Sequence, residues 1–376
     1  MTSVRFLQIH TLHSYTAALL NRDDSGLSKR LPYGDTLRTR ISSQCLKRHW
    51  RMTKNDPHAL AKLQGAEKSH RSRELVTKLI FDPMRGKYSD VILKILEPEF
   101  QKAVYGDKAD KGKASRQTLL FGAPEIRWLA EQADALAKGA SSASDVKAAV
   151  EAWSKAFKSN INALRENTSL PAGLAAALFG RMVTSDPAAN IEAPIHVAHA
   201  FTVHAAETES DYFTAVDDLK SDEDDGGADT IQETELTSGL FYGYVVIDLP
   251  GLIANCGGNM ELAGSVVHNL LYLIAEVSPG AKLGSTAPYG RADFMLVEAG
   301  DRQPRSLAGA YRKAIAPDME QAVASLASHL KNLDDVYETG EQRRYLSLSE
   351  TSIAGAEKAS LAALATWAQD RAREAQ

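Results

Sequence analysis

A long helical block interrupts the strand-like parts of this chain and limits the folds that it can adopt. Residues 56–167 are rich in Ala, Lys and Glu, and they carry apolar residues at helical spacing, among them Val146, Val150, Trp153 and Phe157. Strand-like segments stand on both sides of the block. The pattern therefore predicts a helical insertion into a domain that also contains a β-sheet.

The segments around this block follow a regular order. In the strand pattern of residues 4–12, Leu7 and Ile9 face a core while Phe6, Gln8 and His10 line the other face. Further strand patterns cover 177–185, 193–207, 240–249 and 291–299, and helix patterns begin at 42 and cover 259–277. Without the helical block, and without an acidic excursion, the order is close to β-α-β-β-α-β. This order predicts an α+β fold with a ferredoxin-like or RNA-recognition-like (RRM-like) sheet.

Composition excludes several classes of protein. The chain has 376 residues, a hydrophobic share of 44% and a charged share of 24%, which are ordinary values for a folded, soluble protein. No apolar run is long enough to span a bilayer, and the N-terminus has no signal-peptide core. Cys45 and Cys256 are far apart and form neither a disulfide framework nor a metal clip. We therefore expect a cytoplasmic protein with no membrane partner.

Charge is distributed unevenly along the sequence, although the formal net charge is only −5. Residues 1–54 contain ten Lys or Arg against three acids, whereas residues 206–235 contain twelve acids against Lys220 alone. This polarity predicts one anion-binding surface near the N-terminus and a separate acidic appendage.

The stretch RTRISSQCLKRHWRM at 38–52 concentrates the positive charge. If Ser43 caps a helix there, one helical face consists of Gln44, Lys47, Arg48, Arg51 and Lys54. Cations in the first turns oppose the helix macrodipole, and an anion at the helix N-terminus removes that conflict. The hydroxyls of Ser42 and Ser43, together with Arg38 and Arg40, would then surround a phosphate. A phosphodiester chain is the predicted ligand, and a plain surface helix with solvated cations is the alternative.

Histidines and aromatic residues on the strand patterns give weaker signals. His196, His199 and His204 do not all share one face of a strand, so coordination of one metal by all three has poor geometry. Core or hydrogen-bonded histidines are the favoured interpretation. Phe6 and His10 could stack RNA bases, but packing inside the protein is the simpler interpretation.

Two loops carry the remaining candidates. Asp217, Asp218 and residues 222–225 could hold the metals of a nuclease, but a solvated acidic loop is the favoured interpretation. The loop at 278–291 lacks the ending of a nucleotide-binding P-loop, yet Lys282 could approach RNA phosphates from it. We therefore expect no catalytic residues, no cofactor and no metal.

Several longer strings resemble one known family. They are LNRDDSG and RTRISSQCLKR near the N-terminus, FGRMVTS and HVAHAFTVHAAETESDYFTAVDDL in the middle, and SGLFYGY and SPGAK later. Together they resemble the backbone subunit of the type I-E CRISPR Cascade complex, the CasC family. The resemblance implies a hand-shaped α+β protein with a ferredoxin-like or RRM-like palm, helical fingers and an extended thumb hairpin.

The resemblance also implies a division of the chain and roles for particular residues. Palm segments are expected at 1–55, 168–205 and 238–305, fingers at 56–167, the thumb with its acidic loop at 206–237, and a C-terminal helical region at 306–376. RNA-binding residues are expected at Asn21, Arg22, Lys29, Arg38, Arg40, Ser42, Ser43, Gln44, Lys47, Arg48, Arg51, Arg181, Met182 and Lys282. The base-flipping wedge on the thumb would be Tyr212, Phe213 and Thr214.

The implied function is that of a non-enzymatic, multi-copy subunit that holds and segments a CRISPR RNA for recognition of target DNA in antiviral defence. Its expected partners are CRISPR RNA, target DNA through the guide, further copies of itself in a filament, and Cascade subunits of the CasA, CasB, CasD and CasE types. Sequence specificity would then come from base pairing between guide and target. The alternative is a palm-fold RNA endonuclease that cleaves guide or target RNA with loop aspartates.

Overall fold

The chain folds into two compact units. The computed structural model describes residues 4–106, 109, 112–139, 142–184, 186–215 and 230–375. The first unit consists of Met1–Leu60, His196–Leu249 and Gly264–Gln376, and the second consists of Ala61–Ile195 and Pro250–Ala263. The bounds of the six segments expected from the sequence stay predictions.

The chain contains both strands and helices. The strands are β1 (Phe6–Ala18), β2 (Arg30–Tyr33), β3 (Thr36–Ile41), β4 (Ser69–Ser72), β5 (Leu119–Gly122), β6 (Ile195–Val197), β7 (Ala200–Thr202), β8 (Thr208–Ala215), β9 (Thr230–Asp248), β10 (Ala292–Gly300), β11 (Gln342–Ser347) and β12 (Ala356–Lys358). The α-helices are α1 (Ser43–Met52), α2 (Asp90–Tyr105), α3 (Ala123–Lys138), α4 (Ala143–Glu166), α5 (Leu174–Phe179), α6 (Leu249–Asn255), α7 (Met260–Glu276), α8 (Leu283–Thr286), α9 (Met319–Tyr337) and α10 (Leu361–Arg373). The predicted α+β class is confirmed. Within the described part of the chain, no helix is both long and apolar enough to cross a membrane.

One large mixed sheet organises the first unit, with the strand order β12-β11-β10-β1-β9-β7-β3-β2. Strand β1 pairs antiparallel with both β9 and β10, so that Ile9 lies opposite Val245 and Val297. The pairs β7–β9, β3–β7 and β10–β11 are also antiparallel, whereas β11–β12 is parallel. Strand β8 pairs antiparallel with the N-terminal part of β9 and forms a two-stranded ribbon with it.

Helix α1 packs on one face of this sheet. Tyr15 of β1 belongs to a buried cluster with Ile41 and Phe241, and the partly buried Leu46 of α1 packs against that cluster. Successive side chains of a strand point to opposite faces, so Tyr15 and its alternate neighbours form this side of the core.

The C-terminal region covers the opposite face. Leu12 of β1 belongs to a second buried cluster that includes Tyr311, in the 3-10 turn Leu307–Tyr311, and Leu326 of α9. Gln8 and His10 are consequently buried as well. Phe6 and His10 are therefore packed inside the protein, and neither ring is open for base stacking.

The second unit is mainly helical. Its core contains residues of α2, α3 and α4, and the rings of Phe100 and Trp153 stack with their centroids 3.9 Å apart. Helix α4 buries Val146, Val150, Trp153, Phe157 and Ile161, which are residues at the spacing that predicted a helix. The ribbon of β4 and β5 adds a short antiparallel pair.

One expectation from the sequence is wrong, and another is incomplete. The strand predicted at 177–185 is not formed, because α5 ends at Phe179 and Gly180 follows with a φ of 78°. A Cβ atom at Gly180 would come within 3.0 Å of the carbonyl oxygen of Ile191, so glycine fits this bend. The region after 305, expected to be helical, also contains β11 and β12. These strands extend the sheet beyond β10 and pair with partners that local sequence does not reveal.

Candidate nucleic-acid interface

Helix α1 begins directly after β3 in a fixed geometry. Its N-cap is Ser42, whose hydroxyl accepts a hydrogen bond from the N–H of Cys45 at 3.3 Å. The N–H of Ser42 donates to Oδ1 of Asn21 at 2.8 Å. The cap therefore lies one residue before the predicted Ser43, and Asn21 holds it in place. Residues 43–46, all within the described chain, include no acid, so no carboxylate of that first turn offsets the positive end of the helix dipole.

Apolar packing fixes the inner side of α1. Trp50 is buried, and Cys45 packs against the cluster around Tyr15. Burial raises the pKa of the Cys45 thiol, while the nearby charges of Lys29 and Arg48 act in the opposite direction. The outer side of the helix carries Gln44, Lys47, Arg48 and Arg51, of which Gln44 and Arg48 are exposed. The amphipathic pattern of the sequence thus turns the polar stripe outward.

Four cations gather at the N-terminal end of α1, and we refer to them as the basic cluster: Lys29, Arg40, Lys47 and Arg48. Burial lowers the pKa of His199, and the charges of Arg40, Lys29 and Lys47 lower it further. Nη1 of Arg40 lies 3.0 Å from Nδ1 of His199. The fold therefore brings residues of three separate segments within electrostatic reach of one imidazole ring.

The turn before β2 and the β2–β3 hairpin present two members of the basic cluster. The N–H of Lys29 donates to the carbonyl oxygen of Asn21 at 2.9 Å, and the N–H of Arg40 donates to that of Lys29 at 2.8 Å. Nε of Arg40 donates to the carbonyl oxygen of Arg30 at 3.3 Å. These partners of Arg40 carry no negative charge, so its guanidinium keeps its attraction for an anion. Arg22 is exposed in the same turn.

Arg38 does not join this cluster, and its predicted RNA contact is wrong. The side chain is fully buried, and its guanidinium donates to the carbonyl oxygens of Thr202 and Tyr311 at 3.2 and 3.0 Å. It also pairs with Asp35 at 3.3 Å. Arg38 and Arg40 have the same orientation on β3, but the backbone of Tyr311, a residue remote in sequence, accepts a hydrogen bond from Arg38. The donors of Arg38 are used inside the protein.

Arg181 and Met182 belong to the second unit. Arg181 is buried, forms an ion pair with Glu125 at 2.7 Å and donates to the carbonyl oxygen of Ala189 at 2.7 Å. Its predicted RNA contact is therefore wrong, because the guanidinium compensates a buried carboxylate. Met182 is 74% exposed, and its carbonyl accepts a hydrogen bond from Nε2 of Gln117 at 3.0 Å. The RNA-binding role that the resemblance implies for Met182 stays a prediction.

The ribbon of β8 and β9 carries the predicted wedge residues. Tyr212 is 63% exposed and Phe213 is 41% exposed, and adjacent residues of a strand point to opposite faces. Thr214 continues the backbone of β8. The predicted acidic-loop residues Asp217, Asp218 and 222–225 lie outside the described residues.

Lys282 and Arg30 both contact this ribbon, which the sequence did not reveal. Nζ of Lys282 donates to Oγ1 of Thr234 and lies 5.0 Å from the centroid of the Phe213 ring. Nη2 of Arg30 lies 2.5 Å from Oε2 of Glu235. Lys282 was predicted from the sequence as a phosphate ligand, and the structure places it against the wedge ribbon.

Histidines 196, 199 and 204 have separate surroundings. Nε2 of His204 accepts a hydrogen bond from the N–H of Leu240 at 3.1 Å, and Nδ1 donates to the carbonyl oxygen of Ala205 at 2.7 Å. His199 contacts Arg40. Across the described ranges, no three His, Cys, Asp or Glu residues are grouped so that they could hold a metal ion.

Comparison with known proteins extends over almost the whole chain. The model of the CT1975-like protein family matches residues 7–370. This chain belongs to that family. Among solved structures, a chain of a "CRISPR RNA-guided surveillance complex, pre-nicking" has 26% sequence identity and a TM-score of 0.79, covering 98% of this chain and 100% of that one. A chain of a "CRISPR RNA-guided surveillance complex" has 21% identity and a TM-score of 0.59 over 96% of this chain and 99% of that one, a likeness of fold alone. No curated protein matches the chain.

This CT1975-like protein also contains a group of charges that the sequence analysis missed. We refer to it as the buried network: His10, Glu298, Arg305, Glu341 and Arg343. Glu298 accepts from Arg305 at 2.8 Å and from Arg343 at 2.6 Å, and its Oε2 lies 3.0 Å from Nε2 of His10. Burial disfavours the charged form of Glu298, yet His10 and Arg305 hold its pKa well below the ordinary value. Burial and the neighbouring Glu298 raise the pKa of Glu341 to about 7.

Proposed function

We propose that this protein is the RNA-binding backbone subunit of a type I-E CRISPR RNA-guided surveillance complex. The observation that carries the proposal is the basic cluster, Lys29, Arg40, Lys47 and Arg48, around the N-terminus of α1. Backbone N–H groups of a helix N-terminus and surrounding cations bind phosphate groups. Cations from three segments fit a phosphodiester chain better than a single phosphate. The likeness to a chain of a CRISPR RNA-guided surveillance complex supports CRISPR RNA as that ligand.

The arrangement of the central strands supports a ferredoxin-like or RRM-like palm. Strands β10, β1, β9 and β7 are neighbours in that order and pair antiparallel. Helix α1 follows β1, and helix α7 lies between β9 and β10 in the sequence. This is the strand and helix order of a split β-α-β fold. In this proposal the second unit supplies the fingers, and the ribbon of β8 and β9 is the thumb.

The proposal includes assembly in several copies along one RNA in the cytoplasm. Tyr212 and Phe213, exposed on a narrow ribbon, support a wedge that displaces one base of the guide per copy. Thr214 is the third proposed member of this wedge. The guide would pair with target DNA between the displaced bases, and the other partners would be CasA, CasB, CasD and CasE types of subunit.

In this proposal the chain itself cleaves no RNA. The rival function, cleavage of guide or target RNA by Asp217 and Asp218, is tested by incubating the purified chain with RNA in the presence and absence of Mg²⁺. Intact RNA under both conditions supports a binding role. Metal-dependent cleavage that disappears in Asp217→Ala or Asp218→Ala would replace it with the nuclease.

RNA binding is tested by titrating the full chain with single-stranded RNAs of unrelated sequence at several salt concentrations. The double variant Lys47→Ala with Arg48→Ala should weaken binding to every sequence and lower the salt slope by about 0.7 for each phosphate that the protein no longer neutralises. Lys331→Ala, which removes an exposed cation from α9, is the matched control and should keep the slope. An unchanged slope in the double variant would leave α1 as a plain surface helix.

A further inference from the structure

Two cations, Arg30 and Lys282, contact the ribbon formed by β8 and β9. We refer to the end of the ribbon at Thr208 and Thr237 as its root. Arg30 lies 2.5 Å from Oε2 of Glu235, and its Nη2 also donates to Oγ1 of Thr208 at 3.3 Å. Lys282 donates to Oγ1 of Thr234 and lies over the ring of Phe213. Each of the two cations therefore contacts one residue of β9 and one residue of β8.

These contacts lie on opposite faces of the ribbon. Directly opposed residues of an antiparallel pair share a face, and successive residues alternate. Ser210 is directly opposite Glu235, and Thr208 lies two residues before Ser210 on the same strand, so Thr208 and Glu235 share a face. Arg30 contacts both of these residues. By the same alternation Phe213 and Thr234 point to the other face, where Lys282 lies. Arg30 therefore contacts one face of the ribbon, and Lys282 contacts the other.

Glu235 also connects the ribbon to the basic cluster. Its Oε1 accepts a hydrogen bond from the N–H of Ser28 at 2.9 Å. Ser28 and Arg30 flank Lys29, which is a member of the basic cluster. The Glu235 side chain is only 12% exposed and that of Arg30 32% exposed, so water screens their attraction less than at an open surface.

A second set of bonds joins the same root to the end of β1. The hydroxyl of Thr237 donates to the carbonyl oxygen of Ala18 at 2.9 Å, and that of Ser238 accepts from the N–H of Ala17 at 2.9 Å. An isolated two-stranded ribbon is marginally stable and free to pivot. Contacts on both faces of the ribbon near the sheet fix its orientation relative to the sheet.

We infer that Arg30, Glu235 and Lys282 are positioning residues, which set the direction of the wedge ribbon relative to the RNA phosphates held by the basic cluster. The inference rests on the proposed function, because a wedge needs an RNA backbone held at a constant distance from it. Glu235 couples the ribbon to the basic cluster, because it accepts hydrogen bonds from Arg30 and from the N–H of Ser28, the residue before Lys29.

The test uses the complex of the full chain with the RNA that co-purifies with it. In the wild type, chemical probing should show reactive bases at an even spacing. Glu235→Ala and Lys282→Ala should each abolish this periodicity. Glu235→Ala should keep the salt slope of RNA binding, because the phosphate contacts all remain. Glu209→Ala, which removes the same charge from an exposed position of β8, is the matched control and should keep the periodicity.

The charge-swapped double variant Arg30→Glu with Glu235→Arg separates positioning from folding, because it restores an ion pair across the same two positions and loses only the acceptor for the N–H of Ser28. It should regain part of the periodicity that Arg30→Ala abolishes. If the swap regains none of it, or if Glu235→Ala and Lys282→Ala keep the wild-type pattern, the inference is overturned while RNA binding stands. If the wild-type RNA shows no periodicity, or basic-cluster variants keep the wild-type salt slope, the proposed function fails and this inference fails with it.

Discussion

The basic cluster and the buried network use the same residue types for opposite purposes. In the buried network, Arg305 and Arg343 both bond Glu298 at distances of 2.6–2.8 Å. In the basic cluster, Arg40 has a carbonyl oxygen and an imidazole ring as bonding partners. A guanidinium paired with a buried carboxylate stabilises the fold, whereas one with neutral partners keeps its attraction for an added anion. Partners, more than charge, therefore separate structural cations from ligand-binding cations.

The largest effect should come from breaking the buried network. Arg343→Ala leaves Glu298 and Asp334 without one of their cations, and removal of one partner of a buried ion pair costs about 3–5 kcal/mol of folding stability. Urea titration of the full chain measures the change. Arg344→Ala is the matched control, because Arg344 pairs with the exposed Glu357 and its removal should cost at most about 1 kcal/mol. Equal destabilisation in the two variants would refute the distinction between the two kinds of cation.

A smaller effect should separate two arginines of the same strand. Arg38→Ala removes the donor for the buried carbonyls of Thr202 and Tyr311, which costs about 1–3 kcal/mol, and should leave the salt slope of RNA binding unchanged. Arg40→Ala should do the reverse: a stability change within about 0.5 kcal/mol and a lower salt slope. Thermal unfolding and RNA titration of both variants give the two readouts. A lower salt slope in a folded Arg38→Ala protein would show that Arg38 does contact RNA phosphates.

Removing Lys29 alone should affect binding but not folding. Lys29→Ala keeps the backbone bonds of its turn and removes one proposed phosphate contact, so the salt slope should fall by about 0.7. Stability should change by no more than about 0.5 kcal/mol. Fluorescence anisotropy with labelled RNA and urea titration measure both quantities. A destabilised variant with an unchanged slope would place Lys29 among the structural cations.

The smallest effect concerns pH. The pKa of His199 lies below its ordinary value of 6.5 because of burial and the charges of Arg40, Lys29 and Lys47. Bound phosphates would offset those charges and raise this pKa, so the complex would bind more protons than the free protein. By linkage, RNA affinity should then rise as the pH falls below about 6.5. His199→Gln should flatten this rise in titrations between neutral and mildly acidic pH. An identical pH dependence in the variant would contradict the assignment.

Local periodicity was enough to predict the elements that depend on neighbouring residues. The pattern of 42–52 predicted α1 and its polar face with Lys47 and Arg48, and the spacing of Val146 to Phe157 predicted the buried stripe of α4. The strand prediction at 177–185 failed because the end of a six-residue helix and a glycine with positive φ occupy the first residues of that segment. The strands of the C-terminal region were missed because a strand is completed by a partner elsewhere in the chain.

By itself, the sequence determined the uneven charge, the basic helix and the residue types that could bind an RNA backbone. Only the tertiary structure decided which cations keep that role. Arg38 and Arg40 are equivalent in pattern, yet the carbonyl oxygen of Tyr311 accepts a hydrogen bond from Arg38, and Glu125 forms an ion pair with Arg181 in the second unit. Lys282 turned out to contact Thr234 and Phe213. The physical reason is that burial and charge compensation depend on residues far away in sequence, whereas a helix or strand pattern depends only on residues within a few positions.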